Sequence, residues 1–394
     1  MKILNIVDEF HPEAGYENNI LSKFMIKKGY QYEILTSEFL PNKKYYMDFL
    51  GLENIQQKDF IFEKNTGVKI TRLKNKHFVS GRAIWNYKRF MNVVNTIDPD
   101  VLFFCGNDSF IFSVFVLKNK KKILNNKMKY KIIADSHMLD MASKNRFRNL
   151  FYFFYKRFVT PIIKEANIKV IRVQYDFFVE KRLGIPLSQA PFISFGTDTI
   201  LFHPDEIIML QQRKLLGISN DSFVIIYAGK INESKGGMFF AEAIKKRIVG
   251  KAPVVFLVLA NAKTDYEKMV LNKLNESENR VIINNAVPYC KLNDYYKCAD
   301  LAIFPKQCSL SFYDVQACGV PVLLENNNIN IERTSHKNGF VFESNNIDSF
   351  RKEIVFIANL ETFDEYKNNS LSFIKEHYDY DKISEEYDKI FKSL

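Results

Sequence analysis

No stretch of this chain is apolar over the roughly 18 to 20 residues that a membrane-spanning helix requires. The longest apolar runs are short, such as Val101–Cys105 and Ile225–Ala228. The first residues turn acidic at Asp8 and Glu9, which leaves no room for the apolar core of about 7 to 15 residues that a signal peptide needs. We therefore expect a cytoplasmic protein without a membrane-spanning segment.

Cysteine is scarce, with five residues in 394 and neither a CxxC pair nor a metal-ligand spacing among them. Such thiols are typical of a reducing compartment and argue against a disulfide framework or a zinc site. The chain also lacks a zinc-finger or RNP motif, so we expect no nucleic-acid partner.

Hydrophobic residues make up 47% of the chain and charged residues 26%, which indicates a soluble globular protein and excludes disorder, a collagen-like fibre and a coiled coil. The charge is unevenly divided. Residues 1–200 hold 32 Lys and Arg against 19 Asp and Glu, a balance of +13, and the remainder carries −2. A basic first half would be attracted to an anionic membrane surface, but ordinary solvated surface in a lysine-rich protein explains it equally well.

Short β-rich runs alternate with longer amphipathic stretches, the pattern of βα units around parallel sheets. The strands predicted in the first half are Lys2–Val7, Tyr32–Thr36, Val68–Leu73, Val101–Cys105, Tyr130–Ala134 and Lys169–Val173. Those of the second half are Phe223–Ala228, Val254–Leu259, Val281–Ile283, Leu301–Phe304, Val320–Leu324 and Gly339–Phe342. We predict an α/β protein with two doubly wound, Rossmann-like domains.

The domain boundary is predicted near residues 202–205, where a Phe-His-Pro-Asp turn follows the last strand of the first half. Residues 1–200 then form an N-terminal domain and residues 201–375 a C-terminal domain. Apolar side chains recur at helical spacing over residues 381–394. We therefore predict that the segment 376–394 ends in a packing helix, which could return to the N-terminal domain.

The most specific local pattern is Ile-Ile-Tyr-Ala-Gly-Lys-Ile-Asn-Glu-Ser-Lys-Gly-Gly at residues 225–237, followed by a helical run over Met238–Arg247. A strand ends at Gly229, and the loop presents Lys230 and Lys235 before a glycine pair. Two ammonium groups beside the free N–H groups of a helix start would suit a diphosphate. The pattern is neither a Walker loop nor a GxGxxG motif, and two exposed loop lysines are the alternative interpretation.

A second pattern, at residues 302–324, has a strand that stops at Pro305, a polar loop, a short helix with Asp314, and a Gly-Val-Pro-Val turn into the next strand. The Asp314 carboxylate could accept hydrogen bonds from ribose hydroxyls, and the backbone N–H groups of Ser309, Leu310 and Ser311 could meet a phosphate. An acidic residue near a helix start also occurs without any such role.

Together these patterns resemble the GT-B glycosyltransferases, in particular the large retaining group of bacterial cell-envelope and polysaccharide enzymes (glycosyl transferases group 1). The resemblance covers nearly the whole chain. Residues 229–236 resemble the family's G-R/K-x4-K-G diphosphate element, and residues 306–322 its Glu-x7-Glu element with the following A-x-x-x-G-x-P-V. Similar residues also fall in place at 98–101, 196–198, 202–204 and around Tyr387.

The resemblance implies a GT-B fold whose two domains face a cleft, and a nucleotide diphosphate sugar, with UDP as the expected nucleotide, as donor substrate. It implies ribose binding by Asp314, which stands where the family has its second Glu. Lys306 replaces the first Glu, which in the family contacts the donor sugar. Lys230 and Lys235 would stabilise the leaving diphosphate, so no metal and no cofactor is expected.

Three further site residues follow from the resemblance. The loop at residues 10–17 resembles the family's P-x-x-G-G loop and keeps Gly15, whose expected contact is the donor phosphate. His137 follows a predicted strand at the position of the family's active-site histidine, which is also where open α/β sheets bind ligands. Glu332 stands where many relatives have a Glu, although it could equally be an ordinary surface residue.

The resulting hypothesis is a retaining, metal-independent hexosyltransferase whose C-terminal domain binds the donor and whose N-terminal domain binds the acceptor. The acceptor would be a glycan, a lipid-linked glycan or a protein in polysaccharide or cell-envelope biosynthesis. Two alternatives stay open: a GT-B sugar-nucleotide epimerase, and a non-catalytic scaffold that keeps the fold despite losing the first Glu.

Residues 144–158 mix seven Phe or Tyr with five Lys or Arg. A helix of this composition can lie in the headgroup region of an anionic membrane, whereas an interior helix with aromatic packing is the alternative. With a lipid-linked acceptor, the segment would attach the protein peripherally to the inner face of the cytoplasmic membrane.

Overall fold

The computed structural model describes residues 1–39, 50–79, 81–138, 146–174, 177–306 and 310–394. These residues divide into two units. The first unit comprises Met1–Phe195 and Asp381–Leu394, and the second comprises Gly196–Tyr380. Each unit contains a six-stranded parallel sheet.

The first unit contains the strands β1 (Lys2–Val7), β2 (Gln31–Ser37), β3 (Lys69–Leu73), β4 (Asn75–Val79), β5 (Arg82–Trp85), β6 (Val101–Phe104), β7 (Lys131–Ser136) and β8 (Lys169–Arg172). Its helices are α1 (Glu17–Lys27), α2 (Ile55–Thr66), α3 (Tyr87–Ile97), α4 (Phe110–Lys118), α5 (Lys120–Leu124), α6 (Arg148–Phe154), α7 (Thr160–Glu165) and α8 (Phe178–Leu183). The sheet order is β3-β2-β1-β6-β7-β8.

The second unit contains the strands β9 (Phe223–Ala228), β10 (Val254–Leu259), β11 (Arg280–Asn284), β12 (Leu301–Phe304), β13 (Val322–Glu325) and β14 (Gly339–Phe342). Its helices are α9 (Glu206–Leu215), α10 (Gly237–Ala243), α11 (Asp265–Asn275), α12 (Tyr289–Lys297), α13 (Ser311–Ala317), α14 (Asn328–Arg333), α15 (Ile347–Ile357) and α16 (Phe363–His377). The sheet order is β11-β10-β9-β12-β13-β14.

Both sheets have the doubly wound order, and every one of the twelve predicted strands is present. The apolar runs explain this agreement, because parallel strands covered on both faces are buried along their length. All four residues of β6 and all four of β12 are buried. In each sheet the order reverses beside the first strand, between β1 and β6 and between β9 and β12, and ligands bind beyond the carboxyl ends of strands at such reversals.

Two elements differ from the sequence-based expectation. The antiparallel pair β4–β5 lies where no strand was predicted. The helix predicted over Met238–Arg247 ends at Ala243, because side chains from elsewhere take the next carbonyl oxygens. Asn279 donates to the carbonyl of Ile244 at 2.6 Å, and Arg351 to that of Lys246 at 3.0 Å.

The last helix, α17 (Tyr380–Ser393), lies within the first unit for all but its first residue. Phe391 packs on Phe103 of β6 with ring centroids 5.7 Å apart, and Tyr30 donates a hydrogen bond to Asp388 at 2.6 Å. The end of the chain therefore contributes to the core of the domain in which the chain begins.

The aromatic segment, residues 146–158, is helical from Arg148 onward and contains a π-bulge. A π-helical turn, Tyr155–Val159, joins α6 to α7. Tyr155 and Val159 are fully buried. Throughout the described residues no helix combines the length and apolarity needed to span a bilayer, and the described cysteines 105, 290, 298 and 318 are free thiols.

Candidate functional site

The glycine-lysine loop, residues 229–237, leaves β9 at the reversal of the second sheet. It holds three of the predicted site residues, Gly229, Lys230 and Lys235. A short 3₁₀ turn, Glu233–Lys235, follows Asn232, whose side-chain oxygen accepts the backbone N–H of Lys235 at 3.1 Å. Both lysine side chains are partly exposed. Contacts within the loop therefore fix its path, and its two lysine side chains are partly exposed at the edge of the sheet where ligands bind.

The two glycines that end this loop are needed for close packing. A Cβ atom on Gly237 would lie 2.0 Å from the carbonyl oxygen of Ile231, so any side chain there would displace the loop. Gly236 has a φ of +75°, and a Cβ on it would lie 3.0 Å from Cγ of Lys306. Glycine thus lets the side-chain stem of Lys306, which follows β12, lie across the loop that follows β9. A third lysine therefore belongs to this edge.

The second predicted pattern starts α13. Leu310 precedes the helix and Ser311 is its first residue, and both are partly exposed. Ser309 lies outside the described residues. Asp314 lies one turn into α13 and is only 4% exposed. The helix start is thus accessible, whereas the carboxylate predicted to bind ribose lies beneath it.

Asp314 is held by two hydroxyl groups. Its Oδ1 accepts hydrogen bonds from Thr197 at 2.6 Å and from Tyr289 at 2.9 Å. Burial raises the pKa of Asp314 to about 7, although these two hydrogen bonds lower it. Both of these bonds go to Oδ1. The raised pKa places the ionisation of this carboxyl group near neutral pH.

Glu332 is exposed near the end of α14. The next residue, Arg333, is instead 5% exposed and lies over the ring of Phe312, 4.2 Å from its centroid. Arg333 therefore packs α14 against α13, and the role of Glu332 in donor binding stays a prediction.

In the first unit, His137 follows β7 and lies in a cluster of acidic and thiol groups. Its Nε2 is 3.1 Å from Oε2 of Glu17, 3.2 Å from Oδ1 of Asp135 and 3.5 Å from Sγ of Cys105. Gly15 lies two residues before Glu17, in the loop that precedes α1. The structure thus brings the predicted glycine loop to the same edge of the sheet as the predicted histidine.

The pKa of His137 is raised well above its usual value. Burial alone would lower it, but the neighbouring Asp135 and Cys105 raise it by more. This direction favours the protonated imidazole, beside two carboxyl groups that are almost completely buried.

Cys105, Asp135 and His137 are the one group of three potential metal ligands in the described ranges, with donor atoms within 4.8 Å of one another. Two of their donor atoms already accept hydrogen bonds: Oδ1 of Asp135 accepts the N–H of Gly106 at 2.6 Å, and Sγ of Cys105 accepts the amide of Asn18 at 3.2 Å. Burial also raises the pKa of the Cys105 thiol, whereas a metal needs the thiolate. The cluster fits a hydrogen-bonded network better than a metal site, and metal independence stays a prediction.

The partners of His137 were not predicted from the sequence. Glu17 is the last residue of the loop 10–17 that had already been singled out, and Asp135 lies two residues before the histidine. Ligand sites form at the carboxyl ends of adjacent parallel strands. A search for ionisable residues at those ends would have found Asp135, and a search along the loop 10–17 would have found Glu17.

Among protein families, residues 222–359 match the family described as "Glycosyl transferases group 1". The "Lipopolysaccharide 1,2-N-acetylglucosaminetransferase" of Salmonella typhimurium is 25% identical over 177 residues, 41% of this chain and 45% of the relative. The "UDP-Gal:alpha-D-GlcNAc-diphosphoundecaprenol alpha-1,3-galactosyltransferase" of Escherichia coli is 24% identical over 188 residues, 45% of this chain and 47% of the relative. The matches thus span less than half of these curated relatives.

Solved structures match over the full chain. A glycosyltransferase from Rickettsia africae has a TM-score of 0.73 at 12% identity, covering all of this chain and 98% of the other. Anabaena Alr3699/HepE in complex with UDP-glucose has a TM-score of 0.71 at 14% identity, with both chains fully covered. At these identities the likeness establishes the fold, which is the GT-B class predicted from the sequence.

Proposed function

We propose that this chain, which belongs to the GT-B glycosyltransferases described as group 1, transfers a sugar from a UDP-sugar to a cell-envelope or polysaccharide acceptor. The anomeric carbon keeps its configuration, no metal takes part, and a lipid-linked glycan is the preferred acceptor class. The second unit binds the donor and the basic first unit binds the acceptor. Names of similar proteins support this choice, since one acts on a diphosphoundecaprenol-linked sugar and another was solved with UDP-glucose.

The observation that carries the proposal is the glycine-lysine loop at the reversal of the second sheet. Lys230 and Lys235 lie on it, and Lys306 crosses it at Gly236. A nucleoside diphosphate released during transfer carries negative charge that must be stabilised as it develops. Fixed cations at a partly desolvated edge supply that stabilisation without moving during the reaction.

The chemistry breaks the bond between the anomeric carbon and the diphosphate oxygen and forms a bond from the same carbon to an acceptor hydroxyl oxygen. The electron pair of the broken bond goes to the diphosphate oxygen, the proton of the acceptor hydroxyl passes to the leaving UDP, and UDP departs. Lys230 and Lys235 bind the departing diphosphate, the start of α13 with Leu310 and Ser311 adjoins it, and Asp314 holds the ribose. His137 is the proposed catalytic residue of the first unit.

The proposal is tested with radiolabelled UDP-sugars, offered singly with a lipid-linked acceptor extract. Label in the lipid fraction together with released UDP supports a transferase. Interconversion of the free donor without an acceptor would identify an epimerase, and a donor recovered unchanged from the whole panel would identify a non-catalytic scaffold.

Asp314→Asn is expected to weaken UDP binding and to remove its pH dependence near neutrality. The ionised carboxylate accepts a ribose hydroxyl, and because its pKa is about 7, this capacity is full at pH 8 and mostly lost at pH 6. Asparagine keeps an oxygen for Thr197 and Tyr289, so the helix stays folded. Calorimetry with UDP at pH 6, 7 and 8 measures this, and a constant ratio of wild-type to variant affinity across that range would contradict it.

His137→Ala is expected to reduce kcat at least tenfold with little change in the Kd for UDP. A group that interacts with the sugar only in the transition state affects the rate and leaves binding of the nucleotide intact. Steady-state transfer assays give kcat, and calorimetry gives the Kd. Equal losses in both quantities, or in neither, would assign the histidine a structural role.

The aromatic surface supports attachment to an anionic membrane as part of the same proposal. We give this name to the exposed apolar side chains Phe147, Leu150, Phe153, Phe154 and Phe158, which are 67, 67, 66, 44 and 45% exposed. Four exposed cations share the segment: Arg146, Arg148, Lys156 and Arg157. Large apolar side chains surrounded by cations suit the headgroup region of anionic lipid, where a lipid-linked acceptor would be found.

A further inference from the structure

Three hydrogen-bond acceptors surround one nitrogen of His137. Nε2 lies 3.1 Å from a carboxylate oxygen of Glu17, 3.2 Å from one of Asp135 and 3.5 Å from the sulfur of Cys105. Ionised carboxylates can only accept hydrogen bonds. Nε2 must therefore carry a hydrogen, because a lone pair there would face two negative charges.

The other ring nitrogen has a different environment. Within the ranges that the structure describes, Nδ1 of His137 has no hydrogen-bond partner, and the side chain is 30% exposed. The Nε2 edge of the ring is thus held by the contacts with the two carboxyl groups, and Nδ1 is the nitrogen that can bind a ligand. The ring also packs edge-on against Phe195, with centroids 5.3 Å apart.

Glu17 is itself held in place from the far end of the chain. The hydroxyl of Tyr387, in α17, donates a hydrogen bond to Oε1 of Glu17, which leaves Oε2 for the histidine. Glu17 is 2% exposed and Tyr387 is completely buried. Tyr387 packs against Phe103 of β6 with ring centroids 6.0 Å apart, so its hydroxyl is fixed by the core of the first unit.

We propose that Glu17 and Tyr387 are positioning residues that orient His137, with the Nε2 edge of the ring held by its ion-pair contact to Glu17 beside Asp135 and Cys105, and Nδ1–H presented to an oxygen of the substrate. The inference rests on the proposed function and extends it to two residues 370 positions apart. Asp135 shares the Nε2 hydrogen but is fixed separately by the N–H of Gly106. Removing the Tyr387 hydroxyl would release Glu17 and loosen the ring without touching the substrate.

The raised pKa of His137 is consistent with this arrangement, since a protonated ring has a hydrogen on both nitrogens. The ionisable groups that face the cluster are Glu17 from α1, Tyr32 from β2, Cys105 after β6, Asp135 from β7 and Tyr387 from α17. Burial raises the pKa of Tyr32 and of Cys105.

The test compares Tyr387→Phe and Glu17→Gln with the matched control Tyr30→Phe. Tyr30 also donates a hydrogen bond to a carboxylate of α17, that of Asp388, at 2.6 Å. Among the described residues this pair has no link to His137. All variants are full-length, and thermal unfolding is measured for each. Nitrogen-15 NMR of histidine-labelled protein reports the protonation and hydrogen bonding of both ring nitrogens, with His137→Gln assigning the signals.

We expect Tyr387→Phe and Glu17→Gln to shift the His137 nitrogen signals and to lower kcat about tenfold, with the Kd for UDP unchanged. Tyr30→Phe should change neither the His137 signals nor kcat, although it lowers the midpoint of thermal unfolding as much as the two test variants do. Glu17→Asp, which keeps the charge, should recover part of the rate. Unchanged His137 signals in both test variants would overturn the inference, as would an equal loss of kcat in Tyr30→Phe.

The NMR readout needs no turnover, so the inference and the proposed function fail separately. If wild-type protein transfers no sugar from any UDP-sugar but the His137 signals still respond to Tyr387→Phe, the proposed function is wrong and the positioning is correct. If transfer occurs and the signals do not respond, only the positioning is wrong.

Discussion

Lys235→Ala is expected to lower kcat/KM for sugar transfer about 30- to 1000-fold. The estimate follows from the loss of about 2 to 4 kcal/mol that accompanies removal of one preorganised electrostatic group from the transition state, at about 1.4 kcal/mol per tenfold change in rate. Lys230→Ala should behave similarly, because both ammonium groups lie on the loop at the reversal of the second sheet. The two losses need not add, since both cations act on one diphosphate.

The structure indicates that the substitution leaves the loop intact. The backbone N–H of Lys235 is held by Asn232, and the glycines after it set the path of the chain. Alanine at position 235 keeps that hydrogen bond. Lys235→Arg should retain part of the activity because arginine keeps the positive charge. The recovery is incomplete because the planar guanidinium group does not place that charge where the lysine ammonium group lies.

Lys251→Ala serves as the control, because this lysine is exposed in the same unit and pairs only with the exposed Glu361. It should turn over like the wild type. Transfer kinetics with the UDP-sugar selected from the panel give the rates, and calorimetry with UDP gives the affinity. Wild-type turnover in both Lys230→Ala and Lys235→Ala would remove the diphosphate assignment from this loop.

Local patterns made the sheets predictable. Most strands of the two sheets contain a short apolar run bounded by polar residues, so their positions are encoded in neighbouring residues. The pair β4–β5 has no such run, and its register is irregular. It is held by tertiary contacts instead: Asp8 accepts hydrogen bonds from Arg82 at 3.2 Å and from the backbone N–H of Ala83 at 2.9 Å. Those partners are more than 70 residues away, and no local signal reports them.

The candidate site also contains residues whose positions follow from local sequence and residues whose surroundings do not. The lysines and glycines of residues 229–237 follow a strand directly, so the sequence alone placed them at a ligand-binding edge. The environment of Asp314 could not be predicted, because Thr197 reaches it from 117 positions away and changes how much of the carboxylate is available. The link from Tyr387 to Glu17 joins the last helix to the first, and pairing of that kind becomes visible only when the chain is folded.

Replacing the aromatic surface is expected to reduce binding to anionic vesicles more than 100-fold. Burying one large apolar side chain contributes about 1.5 to 3 kcal/mol, and each Lys or Arg near an anionic surface about 1 kcal/mol. The triple change of Phe153, Phe154 and Phe158 to Ser removes three of the five apolar side chains. Tyr155 and Val159 stay buried beneath them and keep the segment folded.

The cationic part of the surface is tested separately by changing Arg146, Arg148, Lys156 and Arg157 to Ser. This variant should bind weakly to anionic vesicles, and added salt should affect it less than the wild type, because salt screens charges over a Debye length of about 10 Å at 0.1 M. The variant with Phe153, Phe154 and Phe158 changed to Ser should instead lose affinity for anionic vesicles and keep the salt dependence of the wild type. The two variants thereby separate the apolar from the electrostatic contribution.

Matched controls come from the same unit. Phe60→Ser removes a phenylalanine that is 64% exposed on α2, outside the aromatic surface. Changing Lys120, Lys121, Lys122 and Lys127 to Ser removes four exposed positive charges from a region with no comparable cluster of exposed aromatic rings among the described residues. Sedimentation with vesicles of phosphatidylglycerol and phosphatidylcholine measures binding, and both controls should sediment nearly as the wild type does. A wild-type protein that stays in the supernatant with anionic vesicles at low salt would leave a soluble glycan or protein as the acceptor, because the first unit would then have no means of reaching a lipid-linked one.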